Sequence, residues 1–286
     1  MVERIVVQKL LASSRPLVFA MVHVPALPGT PSNSMAMPEI LKRVRKESEA
    51  YLKSGVDGVI VENMHDVPYV KPPIGPEIVS AMSLVSQELK RCQEKIFPDA
   101  LLGIQILAAA NKEAIAVAHN TGLNFIRAEG FIYSHVADEG WIDGCAGGLL
   151  RYRASLKADQ VAVFTDIKKK HSAHTVTSDV SIAEMAKDAQ FNCADGVIVT
   201  GSATGSSANR KDLKDALSVS NFPVLIGSGM NSANQHEYSQ AHGFIVGSEF
   251  KKNANWKEEI VEKRVVKFMN AVKSTTRDTN GKKVKL

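Results

Sequence analysis

Residues 223–250 read PVLIGSGMNSANQHEYSQAHGFIVGSEF, two short apolar runs that each leave into a glycine-serine turn. Gly227, Ser228 and Gly229 end the first run, and Gly247 and Ser248 end the second. Turns of this kind leave backbone N–H groups uncovered and pointing together, and a short helix after the last turn can aim its dipole at a bound anion. In a barrel of eight βα units the loops after the last two strands frequently form a phosphate site.

Six more apolar runs rich in β-branched residues precede the stretch, at 17–24, 58–63, 101–108, 125–130, 161–169 and 196–201, making eight with 223–229 and 243–248. Between them lie segments with helical spacing of apolar residues, including 39–54, 80–95, 111–122 and 181–192. Strand then helix, eight times over, predicts a parallel sheet closed into a single (β/α)8 TIM barrel. The pentapeptide DGVIV at 57–61 recurs at 195–199, on strands two and six, half a turn apart in such a barrel. An open doubly wound sheet would carry a glycine-rich fingerprint after its first strand, and no GxGxxG follows strand one.

The 286 residues accommodate one barrel over 1–273, since the fold takes roughly 250. Residues 274–286 read as a polar basic tail and are expected to be disordered. Residues 1–15 carry Arg4, Lys9 and Arg15 against one acid, Glu3, and fit either a short helix that plugs the bottom of the barrel or a mitochondrial targeting segment. Mitochondrial matrix and cytosol therefore both stay open. No run of about 18 apolar residues offers an integral membrane segment. The net charge of +5 is mild, and no basic helix is interleaved with aromatics, so nucleic acid is not an expected partner. Cys92, Cys145 and Cys193 are too far apart for zinc or disulfide patterns and read as core fillers. A homo-oligomer is expected only from the general habit of barrels.

Parallel strands covered on both faces should be apolar throughout, so polar residues inside the runs need a reason. In this fold functional side chains sit at strand C-termini. His23 ends strand one; Glu62 and Asn63 end strand two, with His65 and Asp66 behind them; Gln105 lies in strand three. Arg127 and Glu129 alternate on strand four, and Asp166 and Lys168 on strand five, before Lys170 and His171. Thr200 closes strand six ahead of Gly201, Thr204 and Gly205. Residues two apart project to one side, so each charged pair can face the interior. Such pairs either neutralise one another or do chemistry. A desolvated lysine beside another cation loses its proton more easily and can form a Schiff base, while a carboxylate and a histidine move protons. His23 reads equally as base, ligand or core histidine, and His119, His174, His236 and His242 as surface or helix residues. No HxH or HExxH spacing is present, so no cofactor is expected; a divalent metal among His23, Glu62, His65, Asp66 and His171 is the alternative.

The segments AMVHVPALPGTP (20–31), GVDGVIVENMHDVPYV (55–70), FIRAEGF (125–131), ADEGWIDG (137–144), TDIKKKHS (165–172), ADGVIVTGSATG (194–205), VLIGSGM (224–230) and GFIVGSEFKK (243–252) resemble the BtpA/SgcQ family. The resemblance runs from Pro16 to about Lys252 and implies a barrel of the ribulose-phosphate-binding type. It implies no settled reaction: the family is named for a role in photosystem I biogenesis in thylakoids, and another branch is similar to a nucleoside triphosphatase or sugar-operon protein. Its pattern marks His23, Glu62, Asn63, Asp66, Arg127, Asp138, Asp166, Lys170, His171, Thr200, Gly201, Thr204 and Gly205 as polar or turn positions. The chain departs from that pattern with Gln105 and Ala108, Ala109 and Ala110 at strand three, and with Glu129 where an Asn is common.

Two functions are expected to compete. In the first, an enzyme holds a phosphorylated metabolite on Gly201, Gly227, Ser228, Gly229, Gly247 and Ser248. Its chemistry, of lyase, isomerase or hydrolase type, falls to Asp166, Lys170, His171, His23, Glu62, Arg127 and Glu129. Asn63, Asp66, Gln105, Asp138, Lys168, Thr200, Thr204 and Gly205 would make the remaining contacts. In the second, a non-catalytic assembly factor keeps the barrel alone.

Overall fold

A computed structural model describes residues 4–201, 205–219 and 221–277. Eight parallel strands close into the expected barrel in sequential order: β1 Leu17–His23, β2 Gly58–Glu62, β3 Leu101–Gln105, β4 Phe125–Ala128, β5 Ala162–Ile167, β6 Gly196–Val199, β7 Val224–Ile226 and β8 Gly243–Val246. β8 closes on β1 with Leu17 opposite Gly243. Helices α2 Met37–Lys53, α3 Pro76–Ile96, α4 Asn111–Thr121, α5 Ala146–Ser155, α6 Ile182–Phe191, α7 Arg210–Val219 and α8 Glu262–Lys273 follow all strands but β7. After β7 a 3-10 turn, Gln235–Tyr238, takes the helix's place.

Alternation along the strands sorts the interior into levels. Phe19, Phe125 and Phe164 meet edge to face across the lower axis, with ring centroids 5.3 Å apart in each successive pair, a geometry that adds roughly 0.5–1.5 kcal/mol per pair beyond area burial. Glycines on neighbouring strands make room for the rings. A Cβ at Gly103 would lie 2.4 Å from the Phe125 ring, and one at Gly196 would lie 2.6 Å from Phe164. Helix α1, Ile5–Ala12, turns Val6 and Leu10 into this cluster and plugs the lower end.

The DGVIV repeat has a physical cause. Asp57 accepts the Val18 N–H at 2.8 Å and pairs with Arg15, while Asp195 accepts the Val163 N–H at 2.8 Å and pairs with Arg153 and Arg4. The same bond recurs at the other two quarter turns, from Leu102 N–H to Asn124 Oδ1 at 2.8 Å and from Val224 N–H to His242 Nδ1 at 3.1 Å. His242 is thus a strut at the lower rim rather than a surface histidine.

Two features lay outside the sequence reading. A small antiparallel sheet of 135–137, 140–142 and 172–173 links the loops after β4 and β5. The chain also stays packed beyond 273, because buried Arg277 donates to Leu10 O at 2.9 Å and Leu11 O at 2.8 Å. The rest of the expected tail, 278–286, lies outside the described residues. Gly103→Ala is expected to cost about 1–3 kcal/mol in urea unfolding through overpacking, and Phe125→Leu in the same chain should recover part of it. Simple additivity of the two losses would show that the ring and the glycine are not matched.

Candidate functional site

The apolar floor ends at Met21, Ile60, Ile198 and Ile245. Above it the inward positions become polar: His23, Glu62, Gln105, Arg127, Asp166 and Thr200 are all buried, and Gly227 and Gly247 complete the ring. Within this ring Arg127 grips Asp166 from the neighbouring strand, Nε to Oδ2 at 3.0 Å and Nη2 to Oδ1 at 2.9 Å. Burial works against the charged guanidinium, but Asp166 outweighs it and holds the Arg127 pKa above its ordinary value. The pairing expected along each strand is therefore replaced by pairing across strands. Glu129 accepts Lys169 Nζ at 3.2 Å and the Ala109 N–H at 3.0 Å. Lys168 lies past the end of β5 at φ +47, and its charge is felt by Asp212 of α7.

A cavity of about 140 Å³ opens over the ring. Glu62, His23, Arg127 and Lys170 line it together with Gly205, the turn 227–231 and the turn 247–249. Burial raises the Glu62 pKa despite Arg127 and Lys170, and burial together with Arg127 lowers that of Lys170. Burial and the Lys251 charge push His23 down to about 3. A neutral imidazole fits its contacts: Nδ1 donates to Trp256 O at 3.3 Å, leaving Nε2 as an acceptor 3.8 Å from Glu62 Oε2.

The two glycine-serine turns meet here, with a change in detail. Gly227 spends its N–H on Val199 O at 2.9 Å, so it lends space rather than a donor. A Cβ there would fall 3.2 Å from Arg127 Nη2, which puts the guanidinium at the foot of the turn. Ser228 Oγ donates to Ser206 O at 2.8 Å. Gly229 has φ +68, and a Cβ on it would meet Ser207 N at 2.3 Å. Gly247 leaves room for the His23 ring, 3.0 Å from where its Cβ would stand. Glu249 also faces the cavity, but Arg264 holds it at 2.7 Å.

Several expected contacts serve the frame instead. Asp66 accepts Leu27 N–H at 2.7 Å, Thr30 Oγ1 at 2.9 Å and Asn63 Nδ2 at 3.0 Å, bracing the 24–30 loop. Asn63 also bonds Leu107 through N–H and carbonyl. Gly201 lies under the backbone of Ser206 and Ser207. Gln105 and Thr200 belong to the ring but not to the cavity lining, and Gln105 Oε1 and Thr200 Oγ1 take no bond among the described residues. Asp138 and His171 are exposed at the rim, outside the cavity lining. Thr204 lies outside the described residues. Among the described residues no three His, Cys, Asp or Glu side chains gather as metal ligands, so the convergence of His23, Glu62, His65, Asp66 and His171 does not form.

Sequence reasoning passed over one element of the mouth. Lys251, fully buried, binds Glu47 of α2 through both carboxylate oxygens at 2.6 Å. It anchors a hairpin whose Trp256 packs on His65 at 4.9 Å between ring centroids and bonds His23. The only signal for it was a tryptophan in a polar segment.

A model of the BtpA family matches residues 14–274. The chain belongs to the BtpA family. A Caenorhabditis elegans protein named as mitochondrial and otherwise uncharacterized is 68% identical over 97% of this chain and 100% of its own. The photosystem I biogenesis protein BtpA of Synechocystis is 35% identical over 89% of this chain and 87% of its own. Among solved structures, (S)-3-O-geranylgeranylglyceryl phosphate synthase from Thermoplasma acidophilum, crystallised with sn-glycerol-1-phosphate, superposes with a TM-score of 0.61 at 10% identity, covering 96% of this chain and 100% of its own. That identity supports the shared barrel alone.

His23 yields a pH prediction. Its folded pKa lies below the unfolded value near 6.5, so the unfolded chain binds the extra proton, and stability is lost as pH falls from 6.5 towards 3. The slope from one such group approaches about 1.4 kcal/mol per pH unit. His23→Gln should flatten the urea stability profile between pH 6 and 4 by about that one-proton slope. An unchanged slope would mean that His23 is protonated in the folded chain.

Proposed function

We propose that the protein is an enzyme acting on a small phosphorylated metabolite, a sugar phosphate or nucleotide. The phosphate rests on the turns after β7 and β8, and the reacting carbon faces Glu62 and Lys170. The observation that carries this reading is a single cavity that joins those turns to a carboxyl of raised pKa and an amine of lowered pKa. Opposite shifts of this kind bring an acid and a base towards neutrality, where both exchange protons most effectively. Arg127 adds positive charge beside Gly227, held in place by Asp166. A fixed phosphate supplies binding energy away from the reacting atoms and positions them. Asp166 then orients Arg127 and touches no substrate. The sn-glycerol-1-phosphate held by the Thermoplasma barrel supports a phosphorylated ligand for this architecture. The C. elegans relative's name supports the mitochondrion as the site of action.

The Synechocystis relative's name favours a second reading, an assembly factor that keeps the barrel without turnover. A scaffold has no need of an acid and an amine that share one cavity without pairing with each other, which is why the enzyme reading is preferred. A screen of phosphorylated metabolites, followed by kinetics of Glu62→Gln, separates the two. The enzyme reading expects turnover to fall by about 10²–10⁴-fold in the variant, with inorganic phosphate bound as in the wild type. Equal turnover by both proteins would remove Glu62 from the mechanism, and a wild type that turns over no compound and binds no phosphate would favour the scaffold.

A further inference from the structure

The charges at the mouth are unevenly partnered. Arg127 has Asp166, Lys169 has Glu129 and Lys251 has Glu47, each within 3.2 Å. Lys170 faces the cavity, yet among the described residues no carboxylate oxygen lies within 4.0 Å of its Nζ. Glu62 is the complementary case: a buried carboxyl in the same cavity whose nearest ion partner is the neutral His23, at 3.8 Å. An ion pair between Glu62 and Lys170 would satisfy both, and they stand too far apart to make one. Both line the cavity, together with the turns of β7 and β8.

We propose that Lys170 is a covalent amine catalyst that forms a Schiff base with an aldehyde or ketone carbon of a small phosphorylated carbonyl compound, and that Glu62 carries the protons of that step. The inference rests on the phosphometabolite reading and narrows its substrate class to carbonyl compounds. The chemistry balances without a redox partner. The neutral Nζ adds to the carbonyl carbon while Glu62 gives its proton to the oxygen. The nitrogen then returns a proton to Glu62, leaving a carbinolamine. Glu62 protonates the hydroxyl, water departs, and a protonated imine remains beside the Glu62 carboxylate. That cation draws electrons from a C–H or C–C bond of the carbon beside the imine: the C–H proton, or the hydroxyl proton of a fragment that departs as a carbonyl, passes to the Glu62 carboxylate and leaves an enamine, and reprotonation by Glu62 followed by water releases the amine. Burial favours the uncharged amine needed for the first step. Arg127, Lys169 and Lys251 are each already engaged by a carboxylate and are not free to take its place.

The test is reductive trapping on the full chain. Glycolaldehyde phosphate is the smallest hydroxyaldehyde phosphate and suits a cavity of about 140 Å³. It is incubated with the protein at neutral pH in sodium cyanoborohydride, and peptides are read by mass. Lys170 should be modified several-fold faster than the exposed Lys42 and Lys257, because burial leaves more of its amine uncharged. Inorganic phosphate should slow labelling at Lys170 alone. Glu62→Gln should slow it while leaving calorimetric phosphate binding unchanged. Labelling of Lys170 no faster than of exposed lysines overturns the proposal, even if phosphate binds. Selective labelling without phosphate binding or protection would uphold the amine and overturn the phosphate reading beneath it.

Discussion

Arg127 and Asp166 fix the charge pattern on which the mouth of this barrel depends. Two side chains from neighbouring strands meet through two hydrogen bonds, both buried where an unpaired charge would cost several kcal/mol. Because each satisfies the other, neither is left to pair with Glu62 or Lys170. The result is a ring with one internally neutral couple and one separated acid and amine. Removing Arg127 would release a buried carboxylate and offer Lys170 an ion partner, which it does not have among the described residues. The pair therefore governs chemistry it does not itself perform.

That pair stands on a floor that excludes alternatives. Phe19, Phe125 and Phe164 fill the lower axis against glycines of adjoining strands, so the inward positions one level up are the first with room for polar groups. The same alternation that makes the floor dry aims His23, Glu62, Gln105, Arg127, Asp166 and Thr200 inward. Below the floor, the clamps by Asp57, Asn124, Asp195 and His242 tie each even strand to the odd one before it. Stability is concentrated at one end and adjustable chemistry at the other, the division this fold usually shows.

The strands, their order and the inward polar set were legible because period-two alternation and β-branched runs are local properties. Partner choice was not, since Arg127 and Glu129 look like a pair in sequence while the barrel brings Arg127 to Asp166 and Glu129 to Lys169. Lys168 continues the alternation on paper, but its positive φ turns it off the strand. Asn63 and Asp66 look like ligands by residue type and close a loop instead, and only the folded positions of Leu27 and Leu107 reveal it. The Lys251 and Glu47 pair joins residues 204 positions apart and left no local trace. Both glycine-serine turns line the cavity, with Gly227 giving space where a donor was expected.

The departure from the family pattern at strand three also has a structural consequence. Gln105 and the alanines after it leave that side of the mouth with little charge, while Glu129 brings a carboxylate that Lys169 neutralises. The polar character is thus concentrated between β1, β2, β4, β5 and the two final turns. A crystal structure of the protein soaked with inorganic phosphate tests this arrangement most directly. The account predicts one anion in the cavity, on the backbone of the 228–229 and 247–248 turns and on the Arg127 side of the mouth. An anion bound only elsewhere on the protein, with that cavity empty, would contradict it.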